Sequence, residues 1–223
     1  MAEKFANRVL ILGAGSVSQS VLPLLIEHLV DAKQITIMDQ RDNRARVQDA
    51  LNKGATYVQD VITRENLDTQ LSKYLKAGDF LLDLAWNIDA NTIVQWCYDH
   101  GVMYLNTSIE EWDPYEGGSN KHPLERTLYY RHMRMREMKS KWTKTGATAI
   151  VEHGANPGLV SHLVKKSMVD IATRALKDGK AANGVESALT DERYNELAHL
   201  LNIKVIHRSE EHTSELQSQF RIS

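Results

Sequence analysis

The chain has 223 residues, 42% of them hydrophobic and 25% charged, and its formal net charge at pH 7 is −2. This near balance of charge predicts no general attraction to nucleic acid or to an anionic membrane. No apolar run is long enough to span a bilayer, and the single cysteine, Cys97, cannot form an internal disulfide, so the sequence predicts a cytoplasmic protein without a membrane partner.

A glycine turn follows the first predicted strand. Residues 8–12 are an apolar run, and the string GAGSVS at residues 13–18 leads into an amphipathic stretch. This order predicts a dinucleotide fingerprint, in which a strand, a glycine turn and a helix N-terminus meet a pyrophosphate. Gly13 would permit the tight turn and Gly15 the close approach of backbone to phosphate, while Ser18 replaces the usual third glycine. The predicted cofactor-binding residues of this turn are Gly13, Gly15, Ser16 and Val17.

The second predicted strand, residues 34–38, is followed by Asp39. An acid about twenty residues after the glycines is typical of a residue that binds the adenosine ribose hydroxyls. Because a carboxylate there repels a 2′-phosphate, Asp39 predicts NAD rather than NADP. Two alternatives stay open: Arg41 and Arg44 could accept that phosphate if they turned inward, and Asp39 could be a turn or capping residue.

Strands and helices continue to alternate, which predicts an α/β fold with a Rossmann-type parallel sheet. Loops that follow the carboxyl ends of such strands bind ligands, and residues 84–89 and 106–113 fall there. The further predicted strands are residues 55–59, 80–84 and 102–106, and the predicted helices are residues 66–74 and 91–98.

A basic stretch at residues 126–144 follows a predicted flexible connection at residues 116–123. Basic and aromatic residues together are also found in nucleic-acid-binding proteins. The interspersed acids and the helical spacing of Leu128, Met133 and Met135 predict a solvated amphipathic helix instead.

A second motif begins near Thr145, where an apolar strand precedes the tight loop HGANPG at residues 153–158 and a helix that continues to Ala172. Asn156 and Pro157 are a good N-cap and first-turn pair, although capping does not account for the whole string. We therefore predict a dinucleotide-binding domain at residues 1–145 and the incomplete start of an α/β or α+β substrate domain at residues 146–207, with a further helix at residues 190–201.

Residues 208–223 resemble translated laboratory DNA more than protein. One reading frame of a widely used sequencing adapter gives RSEEHTSELQS, the string found at residues 208–218. We expect the whole tail to be an artefact and the native sequence to end near His207, so residues 208–223 carry no fold prediction.

Taken with Asp39, the strings GAGSVS, NTSIEEW at residues 106–112 and HGANPG make the chain resemble the bacterial homospermidine synthases, within the saccharopine dehydrogenase-like group. The resemblance covers residues 8–207 and implies that a substrate domain about as long again would follow. It also implies a homodimer that uses NAD and takes putrescine and spermidine as substrates. The implied reaction transfers an aminobutyl group through imine intermediates, with the hydride stored transiently on NAD.

The resemblance further implies roles for three loop residues. Glu110 matches an amine-binding glutamate that precedes a loop tryptophan, here Trp112, and Asn156 matches an asparagine lining the active centre. These three are the predicted catalytic residues. Asn87 stands where a relative carries aspartate, so Asp89 or Glu111 could supply that cation contact. The predicted substrate-binding residues are Asn87, Glu110 and Glu111, and no metal site is predicted, because the histidines are scattered and the cysteine is single.

Other functions and roles remain open. A carboxynorspermidine or saccharopine-type NAD(P)-dependent oxidoreductase would call for arginine in the pocket, whereas residues 110–113 offer anions. A catalytically inactive dinucleotide-binding fragment is the second alternative, because the predicted helices at residues 159–172 and 190–201 would expose apolar faces. Glu152 and His153 could form a proton-transfer pair. We expect Trp86 and Trp96 to pack in the core rather than to hold cations.

Overall fold

Six short strands form one parallel sheet in the order β3-β2-β1-β4-β5-β6. They are β1 (Val9–Leu12), β2 (Ile35–Asp39), β3 (Thr56–Gln59), β4 (Phe80–Asp83), β5 (Met103–Asn106) and β6 (Ala149–Ile150). The computed structural model describes residues 3–113 and 121–207. The strand order reverses beside β1, as in a doubly wound nucleotide-binding sheet, which confirms the predicted Rossmann-type fold.

Helices cover both faces of this sheet. Alternate residues of β1 enter two different apolar clusters, because successive side chains of a strand point to opposite faces. Leu10 and Leu12 pack with residues of α3 (Leu67–Tyr74) and α4 (Ala90–His100). Val9 and Ile11 pack with residues of α1 (Ser16–His28) and α2 (Gln48–Asn52). Burial on both faces explains why β1 reads as a continuous apolar run.

Local signals fix both ends of α4. The Asp89 side chain accepts a hydrogen bond from the Thr92 N–H at 2.7 Å, which satisfies one of the free donors of the first turn. Gly101 follows the helix with φ +69°, the left-handed conformation that commonly ends a helix. The loop before α4, which belongs to the candidate site, is therefore anchored at its far end.

The helix predicted in the basic stretch is α5 (Leu128–Ser140), which begins after Thr127 caps its first turn through the Tyr130 N–H. Its apolar contacts differ from the prediction. Leu128 and Met133 are 43% and 41% exposed. Met135, Met138 and Trp142 instead pack against the apolar cluster that contains Leu10 and Leu12, which we call the sheet cluster.

The chain divides into two compact units between Gly154 and Ala155. This boundary lies later than the predicted one at residue 145, because β6 pairs with β5 and so belongs to the first sheet. Residues 208–223 and most of the predicted connection at residues 116–123 lie outside the described residues.

Three helices form the described part of the second unit: α6 (Val160–Lys177), α7 (Val185–Thr190) and α8 (Tyr194–Leu200). The helix predicted at residues 190–201 is therefore shorter, since α8 begins at Tyr194, and it follows a separate helix, α7, that ends at Thr190. Leu159, rather than Asn156, directly precedes the regular helix α6, and Asn156 itself is extended with φ −139° and ψ 121°. The buried side chains between these helices are Met168, Ala172, Val185, Ala188 and Leu197.

Candidate functional site

The glycine turn connects the end of β1 to the N-terminus of α1. Gly13 has φ +90°, and a Cβ atom there would lie 2.8 Å from the Leu84 carbonyl oxygen, so this position requires glycine. Its N–H donates to the Met38 carbonyl at 2.7 Å. A Cβ atom on Gly15 would meet nothing within 4 Å. The turn is thus tightly held at Gly13 and open at Gly15.

The first turn of α1 fits an anionic ligand. It carries no acidic residue, and Ser16 and Val17 are exposed. The first N–H groups of a helix lack partners within the helix and attract phosphate. Ser18 is fully buried, and its hydroxyl donates a hydrogen bond to the Gly13 carbonyl. The serine in the third glycine position therefore stabilises the turn.

Asp39, at the end of β2, lies against the same turn. Its Oδ2 accepts a hydrogen bond from the Ala14 N–H at 2.7 Å, and its Oδ1 accepts one from the Arg41 N–H at 2.8 Å. The carboxylate is therefore beside the glycines, as a ribose-binding acid must be. The guanidinium of Arg44 pairs with Asp42 at 2.8 Å and lies 5.1 Å from the centre of the Tyr57 ring. Arg44 is therefore already engaged and would have to leave Asp42 to bind a 2′-phosphate.

The loops after β4 and β5 meet, because the Ala90 N–H donates to the Glu110 carbonyl at 3.1 Å. Asn87 is exposed in the first loop with φ +59°. Glu110 is partly buried in the second, and its carboxylate accepts a hydrogen bond from the Ser108 hydroxyl at 2.9 Å. Trp112 is also partly buried and packs against the sheet cluster. The structure thus brings Asn87, Glu110 and Trp112 to one edge of the sheet.

Two acids near these loops already have partners. Glu111 forms ion pairs with Arg131 at 3.3 Å and with Arg134 at 3.8 Å. The Asp89 carboxylate caps α4, as described above. A cationic ligand would have to displace these partners, so Glu110 is better placed to bind one.

The remaining candidates belong to other parts of the chain or differ from expectation. Asn156 belongs to the second unit. Glu152 bonds to His132 of α5, with 2.6 Å between Oε2 and Nε2, rather than to His153 as the proton-transfer hypothesis required. Trp96 is buried and stacks on His100, as expected, but Trp86 is 68% exposed, which contradicts its expected core position.

Sequence reasoning missed a buried carboxyl group at the end of β4. Asp83 is 6% exposed, accepts hydrogen bonds from the Tyr104 hydroxyl at 2.9 Å and the Ala85 N–H at 3.2 Å, and lies near Glu110. Burial raises its pKa to about 6 from the usual 3.8, and the Glu110 charge adds to this rise. The sequence signal that could have identified Asp83 is an acidic residue at the last position of an otherwise apolar strand.

Asp83→Asn should therefore change how stability depends on pH. Because the folded-state pKa lies above the usual 3.8, ionisation of Asp83 destabilises the parent fold as the pH rises from about 4 to 6. The variant should lose this penalty and gain about 2 kcal/mol of unfolding free energy, relative to the parent, between pH 4.5 and 7.5. Urea titrations at both pH values measure the difference. The exposed Asp99→Asn is the control, and identical pH dependence in all three chains would contradict the shift.

Neither a group of metal ligands nor a membrane-spanning helix is found in residues 3–113 and 121–207. Among them, no three His, Cys, Asp or Glu side chains are grouped so that they could hold a metal ion. No helix in this part of the chain is long and apolar enough to cross a membrane.

The strand order, the glycine turn and the acid at the end of β2 define a Rossmann-type dinucleotide-binding domain. Its open space at Gly15 and the acid-free start of α1 fit a pyrophosphate. Residues 9–150 match the saccharopine dehydrogenase NADP-binding domain family, and the chain belongs to that family.

The chain is also similar to homospermidine synthases. It is 31% identical to the enzyme of Mesorhizobium japonicum over 74% of this chain and 34% of the relative. It is 28% identical to that of Blastochloris viridis over 92% of this chain and 42% of the relative. The Legionella pneumophila homospermidine synthase, solved in complex with NAD, superposes with a TM-score of 0.68 at 29% identity, covering 88% of this chain and 39% of that one. The chain thus spans well under half the length of these relatives.

Proposed function

We propose that this chain is the cofactor-binding part of an NAD-dependent homospermidine synthase. The observation that carries the proposal is the similarity to homospermidine synthases, which in one relative extends over 92% of the chain and so includes both loop motifs. The geometry agrees with it: Glu110 carries a carboxylate in the loop after β5, near Asp83 at the end of β4, and such a group is suited to an amine cation.

We propose NAD as the cofactor, although the family takes its description from NADP. Asp39 supports this choice, because its carboxylate lies against the glycine turn, where a ribose 2′-phosphate would be repelled. The NAD bound to the Legionella relative also supports it. Asp39 would bind the adenosine ribose, and the turn at Gly13 to Val17 would bind the pyrophosphate.

When bound, NAD would accept hydride from the amine-bearing carbon of putrescine and return it to a later imine, so the net redox change is zero. The chain's own residues would bind and orient the amine. Glu110 would pair with a substrate ammonium group, Asn87 would contact the same cation, and Trp112 would limit the entry of water, which would otherwise hydrolyse an imine. Asn156 is the remaining candidate for the active centre. Putrescine and spermidine are the proposed substrates.

The full-length gene that encodes this chain provides the test. We expect its product to form homospermidine and ammonia from putrescine with NAD+ present but without net NADH production. Glu110→Gln should lower kcat/KM for putrescine about 10- to 100-fold, because a charge-assisted contact is lost. Glu137→Gln is the matched control, since Glu137 is exposed and pairs with Lys141 of its own helix.

Net oxidation or reduction of the cofactor in that assay would contradict this function. It would favour instead a saccharopine-type oxidoreductase, the candidate that the family's NADP description supports. The 223-residue chain alone is expected to bind the dinucleotide without turning over putrescine, because it spans only 34% to 42% of the curated relatives.

A further inference from the structure

Three polar side chains are buried side by side at the carboxyl ends of β4 and β5. Asp83 is 6% exposed, and Tyr104 and Asn106 are each 1% exposed. The Tyr104 hydroxyl donates to the Asp83 carboxylate and accepts from the Asn106 side-chain amide, both at 2.9 Å. Since Asp83 and Asn106 are also partners in the strand register, this hydroxyl lies between two adjacent strand ends.

Hydrogen bonds continue from this trio into the loops. Asp83 accepts from the Ala85 N–H at 3.2 Å, at the start of the loop that carries Asn87. The Asn106 side-chain oxygen accepts from the Glu152 N–H at 2.7 Å, just after β6. One network of side chains therefore contacts the chain after β4 and after β6, the two strands that flank β5.

This network has a cost that an apolar core would not have. Phenylalanine at position 104 would fill nearly the same space without burying a hydroxyl group, and buried polar groups are unfavourable unless all are hydrogen-bonded. A satisfied network, in return, fixes one arrangement of the groups that it joins. Here those groups lie at the carboxyl ends of parallel strands, where α/β sheets bind their ligands.

We propose that Tyr104 is a positioning residue, whose hydroxyl holds Asp83, Asn106 and the chain after β4 and β6 in one arrangement beside the glycine turn. The turn is adjacent because the Leu84 N–H donates to the Leu12 carbonyl at 2.9 Å. The link to catalysis rests on the proposed function, in which the loops after β4 and β5 bind the substrate amine.

Tyr104→Phe in the 223-residue chain tests this role by amide hydrogen exchange. The N–H groups of Ala85 and Glu152 should exchange about tenfold faster or more, since each loses a hydrogen-bonded anchor. Amides within β1 should not change. Tyr98→Phe is the matched control, because the buried Tyr98 hydroxyl accepts from the Thr143 and Lys144 N–H groups at 3.1 and 3.0 Å, before β6 rather than after it. Its effect should be confined to those amides.

The titration of Asp83 shows whether the Tyr104 hydroxyl positions Asp83 or whether the Tyr104 ring only fills space. Burial raises the pKa of Asp83 to about 6, and the Tyr104 hydrogen bond opposes that rise. Tyr104→Phe should therefore move the midpoint upward in carboxyl-carbon NMR spectra, with Asp83→Asn used for assignment. The other titratable groups facing Asp83, Glu110 and Cys97, are the same in both chains. An unchanged midpoint together with unchanged exchange would overturn the proposal.

A second variant covers the case in which Tyr104→Phe does not fold. Asn106→Ala removes the other half of the link, so the Glu152 amide should exchange at least about tenfold faster while amides in β1 stay protected. Unchanged exchange at Glu152 would overturn the proposal.

In the full-length protein, Tyr104→Phe is expected to lower kcat for homospermidine formation about tenfold while leaving the Kd for NAD+ unchanged. An unchanged kcat in an active protein would overturn the positioning role. If the unmodified full-length protein forms no homospermidine, the proposed function fails, and the exchange and titration results still decide the role of Tyr104.

Discussion

Gly13→Ala is expected to destabilise the fold by about 3 to 5 kcal/mol and to abolish dinucleotide binding, because two costs add at this position. The residue has φ +90°, which is strained for alanine, and the new Cβ would lie 2.8 Å from the Leu84 carbonyl oxygen. Backbone atoms cannot move aside as a flexible side chain can. Urea denaturation gives the stability change, and calorimetric titration with NAD+ gives the binding.

Gly15→Ala in the same turn is the informative control. Its Cβ would meet no protein atom within 4 Å, and its φ of −80° suits any residue. We expect a stability change below about 1 kcal/mol, but weaker NAD+ binding, because the methyl group occupies the space where the backbone should approach phosphate. Equal destabilisation by the two substitutions would show that the structural distinction between these glycines is wrong.

Asp39→Ala should lower NAD+ affinity about 10- to 100-fold, the loss expected for hydrogen bonds to a charged group. The loss combines two effects. The ribose hydroxyls lose their acceptor, and the Ala14 N–H loses the carboxylate to which it donates at 2.7 Å. Because a 2′-phosphate is no longer repelled, the preference for NAD+ over NADP+ should shrink. Calorimetric titration of the 223-residue chain with each dinucleotide measures both changes.

Asp39→Asn separates charge from geometry, since the amide oxygen can still accept from Ala14. We expect NAD+ binding intermediate between the parent and the alanine variant, with reduced discrimination against NADP+. A parent chain that binds NADP+ more tightly than NAD+ would contradict the cofactor assignment. Arg44→Ala is the companion control, because pairing with Asp42 should keep this arginine from contributing to either affinity.

The fold and the geometry of the glycine turn were predictable because their signals are local. The residues of the glycine turn are contiguous, and the apolar runs of β1 and β2 report burial on both faces of the sheet. Asp39 stands directly at the end of its strand, so its position follows from the strand itself. Each of these features depends on neighbours along the chain.

The missed features depend on partners that are distant in sequence. The Tyr104 hydroxyl and Asp83 are 21 positions apart, and nothing in either strand alone shows that they bond. The domain boundary was misplaced because β6 has only two residues, and its pairing with β5 decides to which unit it belongs. Trp86 was expected in the core on its apolar character, but the loop after β4 turns it outward.

The glycine turn is held on two sides. The Gly13 N–H donates to the Met38 carbonyl, and the Leu84 carbonyl lies so close to Gly13 that it leaves no room for a side chain. A segment already immobile in the free protein gives up little conformational entropy when its ligand arrives. The phosphate-binding half of the site should therefore act as a preformed receptor, with the dinucleotide docking there first. Any loop that becomes ordered on binding would then be the exposed loop around Asn87. The entropic cost of that ordering would accompany binding of the nicotinamide end of the cofactor.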